Sequence, residues 1–208
     1  MNKKVIKAMF ANICDKSELR PVMNGVHFEK ERCYASDGHV LVIFKEGSEK
    51  FEGKTMSIDG EEIEGRYPNI DNVFPPKEQQ GEPFKTDFVQ LKNACAYHIR
   101  LLSSCDADQV IVNGISFNVR TLNRILNTIM MVGDPKNIVF YCIDKSHAVV
   151  IESDQMRSLI MPCLYEETEI DFEGNFGDKK VMSYENFIND YVFNSRKKQP
   201  KNELQWAD

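Results

Sequence analysis

Asp37 and His39 flank Gly38 in the stretch Ser36-Asp37-Gly38-His39. A carboxylate and an imidazole this close could share a proton, but a tight turn offers them no nucleophile to activate. No Gly-rich phosphate loop, H-E-x-x-H helix or G-x-S-x-G elbow occurs in the chain. Six cysteines, Cys14, Cys33, Cys95, Cys105, Cys142 and Cys163, are scattered without a C-x-x-C pair or a histidine at zinc-site spacing. They read as reduced, mostly buried thiols. The chain is therefore expected to be a non-enzymatic protein with no cofactor and no metal.

Charge is the other chemistry on offer. The formal net charge is −6 over 208 residues, so the protein is not coated in basic groups, and what matters is where Lys and Arg cluster. Lys3 and Lys7 stand four apart, as do Arg120 and Arg124, with Lys92 and Arg100 between them in the chain. On helices, such residues form basic faces suited to a salt-sensitive, sequence-independent grip on phosphates. The same residues also fit ordinary solvated helix faces.

The periodicity supplies those helices. Val5, Ile6, Met9, Phe10 and Ile13 recur at helical spacing within 3–14, with the lysines on or beside the opposite face. A second helix is expected over 86–102, capped by Thr86 or Asp87, with Phe88, Leu91, Cys95, Leu101 and Leu102 inward. The clearest spans 118–131. Val119, Leu122, Ile125, Leu126, Ile129 and Met130 make its stripe, Arg120 and Arg124 lie opposite, and Gly133 ends it.

Strands are expected over 22–28, 32–44 (broken by the Asp37-Gly38 turn), 55–58, 110–112, 137–143, 148–153 and 158–164. Prolines at 75, 76 and 83 mark 76–83 as a linker. The fold class is α+β, with one unit over 1–76, a second over 77–165, and a distinct tail over 166–208. That tail holds an acidic block from Glu166 to Asp178, a short helix capped by Ser183, and a basic end at Arg196, Lys197, Lys198 and Lys201. No apolar run spans a bilayer and no signal-peptide pattern opens the chain, so the expected location is the cytoplasm.

Three segments carry a family resemblance. Arg20-Pro-Val-Met-Asn-Gly-Val, followed by Cys33-Tyr-Ala-Ser-Asp-Gly-His-Val-Leu-Val, resembles the bacterial sliding-clamp pattern in which "RPVLNGV" leads into "ATDGHRLA". Glu64-Gly-Arg-Tyr-Pro-Asn-Ile-Asp-Asn-Val-Phe-Pro is similar to that family's "EGKFPDYRRVLP". Ile115-Ser-Phe-Asn-Val through Leu159-Ile-Met-Pro-Cys-Leu resembles the last clamp domain, with "IGFNV" and a terminal "YLVMPMRL". The chain thus looks like a shortened, divergent member of the DNA polymerase III beta-subunit (sliding clamp) family. The resemblance covers about 1–165 and lacks a counterpart for the clamp's first domain.

The resemblance implies a clamp-like fold of two abbreviated domains, with helices on one face of antiparallel sheets. It implies a DNA-replication processivity protein whose helices touch duplex DNA without reading bases, through Lys3, Lys7, Lys92, Arg100, Arg120 and Arg124. It also implies a pocket for linear peptides of DNA polymerase and other replication proteins. Carried over by motif, that pocket takes Ser36, Gly38, His39, Val40, Leu41, Pro68, Asn72, Val73, Leu159, Met161, Pro162 and Cys163. Met and aliphatic side chains there would form an adaptable apolar groove. Val40 and Asn72 stand where the family pattern carries Arg, and Cys163-Leu164 replaces Met-Arg, so the pocket is less basic. Encircling DNA would require short subunits to close into a homo-oligomer. A non-ring interaction module that keeps the pocket and recruits or sequesters replication proteins is the alternative.

Overall fold

The structure is a computed structural model that describes residues 3–17, 19–84, 86–101, 108–132, 138–144, 146–163 and 182–183. Its helices are α1 (Lys3–Asn12), α2 (Phe88–Leu101) and α3 (Val119–Val132). Its strands are β1 (Val26–Phe28), β2 (Cys33–Ser36), β3 (Val40–Phe44), β4 (Thr55–Met56), β5 (Glu82–Phe84), β6 (Gln109–Val112), β7 (Ile115–Asn118), β8 (Val139–Cys142), β9 (Val149–Glu152), β10 (Met156–Ile160) and β11 (Met182–Ser183). The class is α+β, as expected.

Local chemistry sets the helix starts. Asp87 Oδ1 accepts the Gln90 amide at 2.9 Å and caps α2, satisfying a donor that no helical carbonyl can reach. Asn118 Oδ1 does the same for the Thr121 amide at 3.0 Å in α3. Along α3 the residues Val119, Leu122, Ile125, Leu126 and Ile129 are buried as the spacing requires, but Met130 is exposed. The buried neighbour is Thr128, whose hydroxyl is satisfied by donating to the Arg124 carbonyl at 2.9 Å.

Eight strands form one sheet in the order β4-β1-β2-β3-β10-β9-β8-β5, every neighbouring pair antiparallel. A smaller sheet has the order β11-β6-β7. The central seam pairs Val40 with Ile160, Leu41 with Leu159 and Phe44 with Met156. Because β3 and β10 are neighbours, the sheet runs across the expected 76/77 boundary. So does the main core, where Val5, Met9 and Phe28 pack in one cluster with Leu91, Phe117, Leu126 and Ile151. Helix α3 lies between α1 and α2, and the three together cover the inner face of the sheet. No helix among the described residues is long and apolar enough to cross a membrane.

Several expectations need correction. Residues 21–24 form a 3-10 turn rather than the start of a strand, since Pro21 fixes a helical φ and lacks an amide for a ladder. Part of the expected linker is strand β5, which pairs with β8 through Pro83 and Tyr141. Proline is tolerated there because β5 is the last strand of the sheet. Strand β7 was not expected, because its four residues run directly into α3. The acidic block, the helix expected after Ser183, the basic end, Cys105 and Gly133 lie outside the described residues, and Met182–Ser183 pair parallel with β6.

Candidate functional site

Alternation along the strands sends two sets of side chains to opposite faces. Cys33, Ala35, Val40, Val42, Phe44, Ile151, Met156 and Ile160 join the core beneath the helices. Tyr34, Leu41, Val150 and Leu159 face outward and form a second apolar cluster with Tyr67 and Ile70. Ile43, Phe74, Tyr141 and Ala148 border it.

Segment 64–76 is what covers this outer cluster. Tyr67 anchors it: its hydroxyl oxygen accepts the Ser36 amide at 2.9 Å, and its ring meets Tyr34 edge-on at 5.3 Å and His27 at 5.3 Å. Further along, Phe74 lies under the Arg157 guanidinium, 4.4 Å from centroid to Cζ, and Arg157 Nε is 2.8 Å from Glu152 Oε1. Arg32 fastens the middle of the segment through Asp71 Oδ1 at 2.6 Å, while also holding Glu29. Apolar side chains remain open to solvent on this segment and just past β10: Val73 is 45% exposed and Met161 47%.

One wall of this region is the turn between β2 and β3. Gly38 has φ +91°, the left-handed region that only glycine enters cheaply. Asp37 organises the turn. Its Oδ1 accepts the His39 and Val40 amides, each at 2.9 Å, and its Oδ2 lies 2.6 Å from Arg124 Nη1 on α3. The Asp37 side chain is only 11% exposed. Burial pushes its carboxyl up, but the two amides and the guanidinium outweigh that and hold it below the ordinary carboxylate range. The His39 carbonyl accepts the Met161 amide at 3.3 Å, so the turn is tied to the end of β10.

Of the expected pocket residues, Ser36, Leu41 and Leu159 sit on the outer face, and His39 and Met161 join them at the turn. Pro68, Asn72 and Val73 are exposed on the covering segment. Val40 points the other way, into the core under the helices, because it alternates with Leu41. Pro162 and Cys163 are half-buried, and the Cys163 amide donates to the Ser116 carbonyl at 2.8 Å, which leads the chain toward β7. Sequence reasoning did not single out Tyr34, Tyr67, Ile70, Phe74 or Arg157. The tyrosine inside Gly65-Arg-Tyr67-Pro68 was the available signal: a large side chain in a segment otherwise polar or turn-forming.

The opposite face carries the charge. The three helices contain Lys3, Lys4, Lys7, Lys92, Arg100, Arg120 and Arg124 and not one Asp or Glu. With a net charge of −6 for the whole chain, everything outside the helices sums to −13. Lys7, Arg100 and Arg120 are exposed and Lys92 is half-buried. The Arg124 guanidinium is engaged with the end of α1 and the β2–β3 turn. Besides Asp37 it donates to the carbonyls of Asn12 (2.5 Å) and Ile13 (3.2 Å), where α1 ends and carbonyls lack helical partners.

Three of the thiols are buried. Burial pushes Cys14, Cys33 and Cys95 up to about 12, which keeps them protonated and unreactive. Among the described residues no group of three His, Cys, Asp or Glu is placed to hold a metal.

No protein-family model matches the sequence, and no curated protein does. Solved structures match the fold. The DNA polymerase III beta subunit of Pseudomonas aeruginosa aligns with TM-score 0.59 at 15% identity, over 77% of this chain and 64% of that one. The beta subunit of Thermotoga maritima gives 0.60 at 14%, over 80% and 65%. A sliding clamp from Bartonella birtlesii, solved with griselimycin bound, gives 0.62 at 14%, over 78% and 64%. The chain has the sliding-clamp fold and spans less than two thirds of the length of these clamps.

Proposed function

We propose that this chain is a sliding-clamp-type processivity protein of DNA replication. Its helix layer faces duplex DNA and holds the phosphates without reading bases. Its outer face binds linear peptides of DNA polymerase or other replication proteins. The observation that carries this reading is the acid-free helix layer on one face of a chain that is strongly acidic elsewhere. Such a segregation attracts a polyanion to one side, with affinity that falls steeply as salt rises. Lys3, Lys7, Lys92, Arg100 and Arg120 are the proposed phosphate contacts. The apolar outer cluster, with Val73 and Met161 open to solvent, suits an extended peptide with an aliphatic or aromatic anchor.

Topological retention is the test. On nicked circular duplex the protein should stay bound, and linearising the circle should release it. Retention that does not change on linearisation contradicts an encircling ring. The outer apolar cluster lies within a single chain and needs no ring, so it also suits a second reading, a peptide-binding module that does not encircle DNA. Light scattering separates the two, because encirclement requires a closed homo-oligomer and the module does not.

A further inference from the structure

Arg124 belongs to the helix layer, yet it reaches the turn that forms one wall of the outer site. Its three nitrogens bind three acceptors: the Asn12 carbonyl, the Ile13 carbonyl and Asp37 Oδ2. The other Asp37 oxygen holds the His39 and Val40 amides. From there the turn is tied to Met161 through the His39 carbonyl and to Tyr67 through Ser36. Hydrogen bonds joined through the backbone of residues 36–39 therefore connect the junction of α1 and α3 to Met161 and to Tyr67 of the outer apolar cluster. Only a planar guanidinium can meet all three acceptors at once, since an ammonium is a point donor on a flexible stem. Removing the guanidinium would leave a largely buried carboxylate unpaired, which loosens the turn that carboxylate organises.

We infer that the Asp37–Arg124 pair is a positioning device for the peptide site: Arg124 sets the geometry of the Ser36–Leu41 wall from the helix side and does not contact DNA. This rests on the peptide-pocket reading above. It makes peptide affinity sensitive to a residue on the face opposite the pocket, and it removes one of the two arginines of α3 from the DNA interface.

The experiment compares the full chain with Arg124→Gln, Arg124→Lys, Asp37→Asn and the Asp37→Asn/Arg124→Gln double variant. Peptide affinity is read by fluorescence anisotropy with a labelled synthetic peptide carrying the clamp-binding motif of a bacterial replicative polymerase. Amide hydrogen exchange is followed at residues 38–40. Arg124→Gln should weaken the peptide about tenfold and speed exchange at His39 and Val40 by a similar factor, while exchange at Leu122 in the middle of α3 stays slow. Arg124→Lys should not restore affinity. The double variant should be no worse than the worse single variant, the mark of two groups acting as one. Asp37→Asn leaves the Arg124 bonds to α1 in place, so it reports on the turn even if Arg124→Gln folds poorly. Exchange at 38–40 unchanged in Asp37→Asn and in folded Arg124→Gln overturns the positioning role, as does peptide affinity within about twofold of the original. Failure of the unsubstituted chain to bind the probe sinks the pocket reading instead, and the exchange result still decides whether Arg124 holds the turn.

Discussion

The two faces of the eight-stranded sheet are built from alternate residues of the same strands, yet they are finished in different ways. The inner face is closed by three helices that bury Leu91, Phe117, Leu122, Leu126 and their neighbours completely and turn only basic and neutral residues outward. The outer face is closed by an irregular segment, 64–76, pinned at Tyr67, Asp71 and Phe74. Helices satisfy their own backbone and so leave their outward side chains free to carry charge. An irregular segment must be held by side-chain hydrogen bonds and ring contacts, and it leaves apolar groups such as Val73 open. The proposed assignment of a polyanion to one face and a peptide to the other rests on this difference.

Substitutions should reveal the same asymmetry. The largest effect is expected inside the helix layer. Leu126→Ala should cost about 2–5 kcal/mol in urea unfolding through lost burial and the cavity left behind, and should impair both faces together. On the outer face, Tyr67→Phe removes the acceptor of the Ser36 amide and should cost about 1–3 kcal/mol. It should weaken peptide binding in the same anisotropy assay and leave DNA binding in gel shift unchanged. Equal damage to both activities by Tyr67→Phe would show that the faces are not separable.

The Asp37–Arg124 pair, which joins the faces, should show itself in pH dependence. The folded-state pKa of Asp37 is lowered relative to its ordinary 3.8, so its contribution to stability is fully present above that value and is lost as pH falls through the folded pKa. The melting-temperature gap between the native chain and Asp37→Asn should be full at about pH 7 and close progressively below about pH 4. A gap that stays constant with pH would mean that the carboxylate charge is not what stabilises the turn. The smallest effect is expected at Arg32→Gln, where the ion pairs to Glu29 and Asp71 are partly open to water and should be worth about 0–1 kcal/mol.

How far the sequence revealed each face follows the same division. The α3 stripe was legible because a buried helix must repeat at 3.6 residues, and only Met130 and Thr128 depart from the pattern. The strands β2, β3, β9 and β10 were legible as apolar runs. Segment 64–76 was legible only through its family resemblance, since its tyrosine, isoleucine and phenylalanine follow no period and its prolines and charges read as loop. Pro83 made an edge strand look like a linker, because whether a proline sits at a sheet edge is decided by strand order, which local sequence does not encode. Arg124 was legible as a basic residue on an outward helix face. Its engagement with the end of α1 and with Asp37 depends on residues 112 and 87 positions away, and the four-residue spacing from Arg120 carries no sign of either.

The central claim is that the helix layer, and not the outer face, holds DNA. The Lys7→Glu/Arg120→Glu double variant tests it most directly, since both side chains are exposed on that layer and neither belongs to the peptide site. Duplex binding measured at low and moderate salt, with peptide binding measured on the same samples, should show DNA affinity reduced by about a hundredfold, a shallower salt slope, and an unchanged peptide constant. DNA affinity and salt slope equal to those of the unaltered chain would contradict the assignment of this face to DNA.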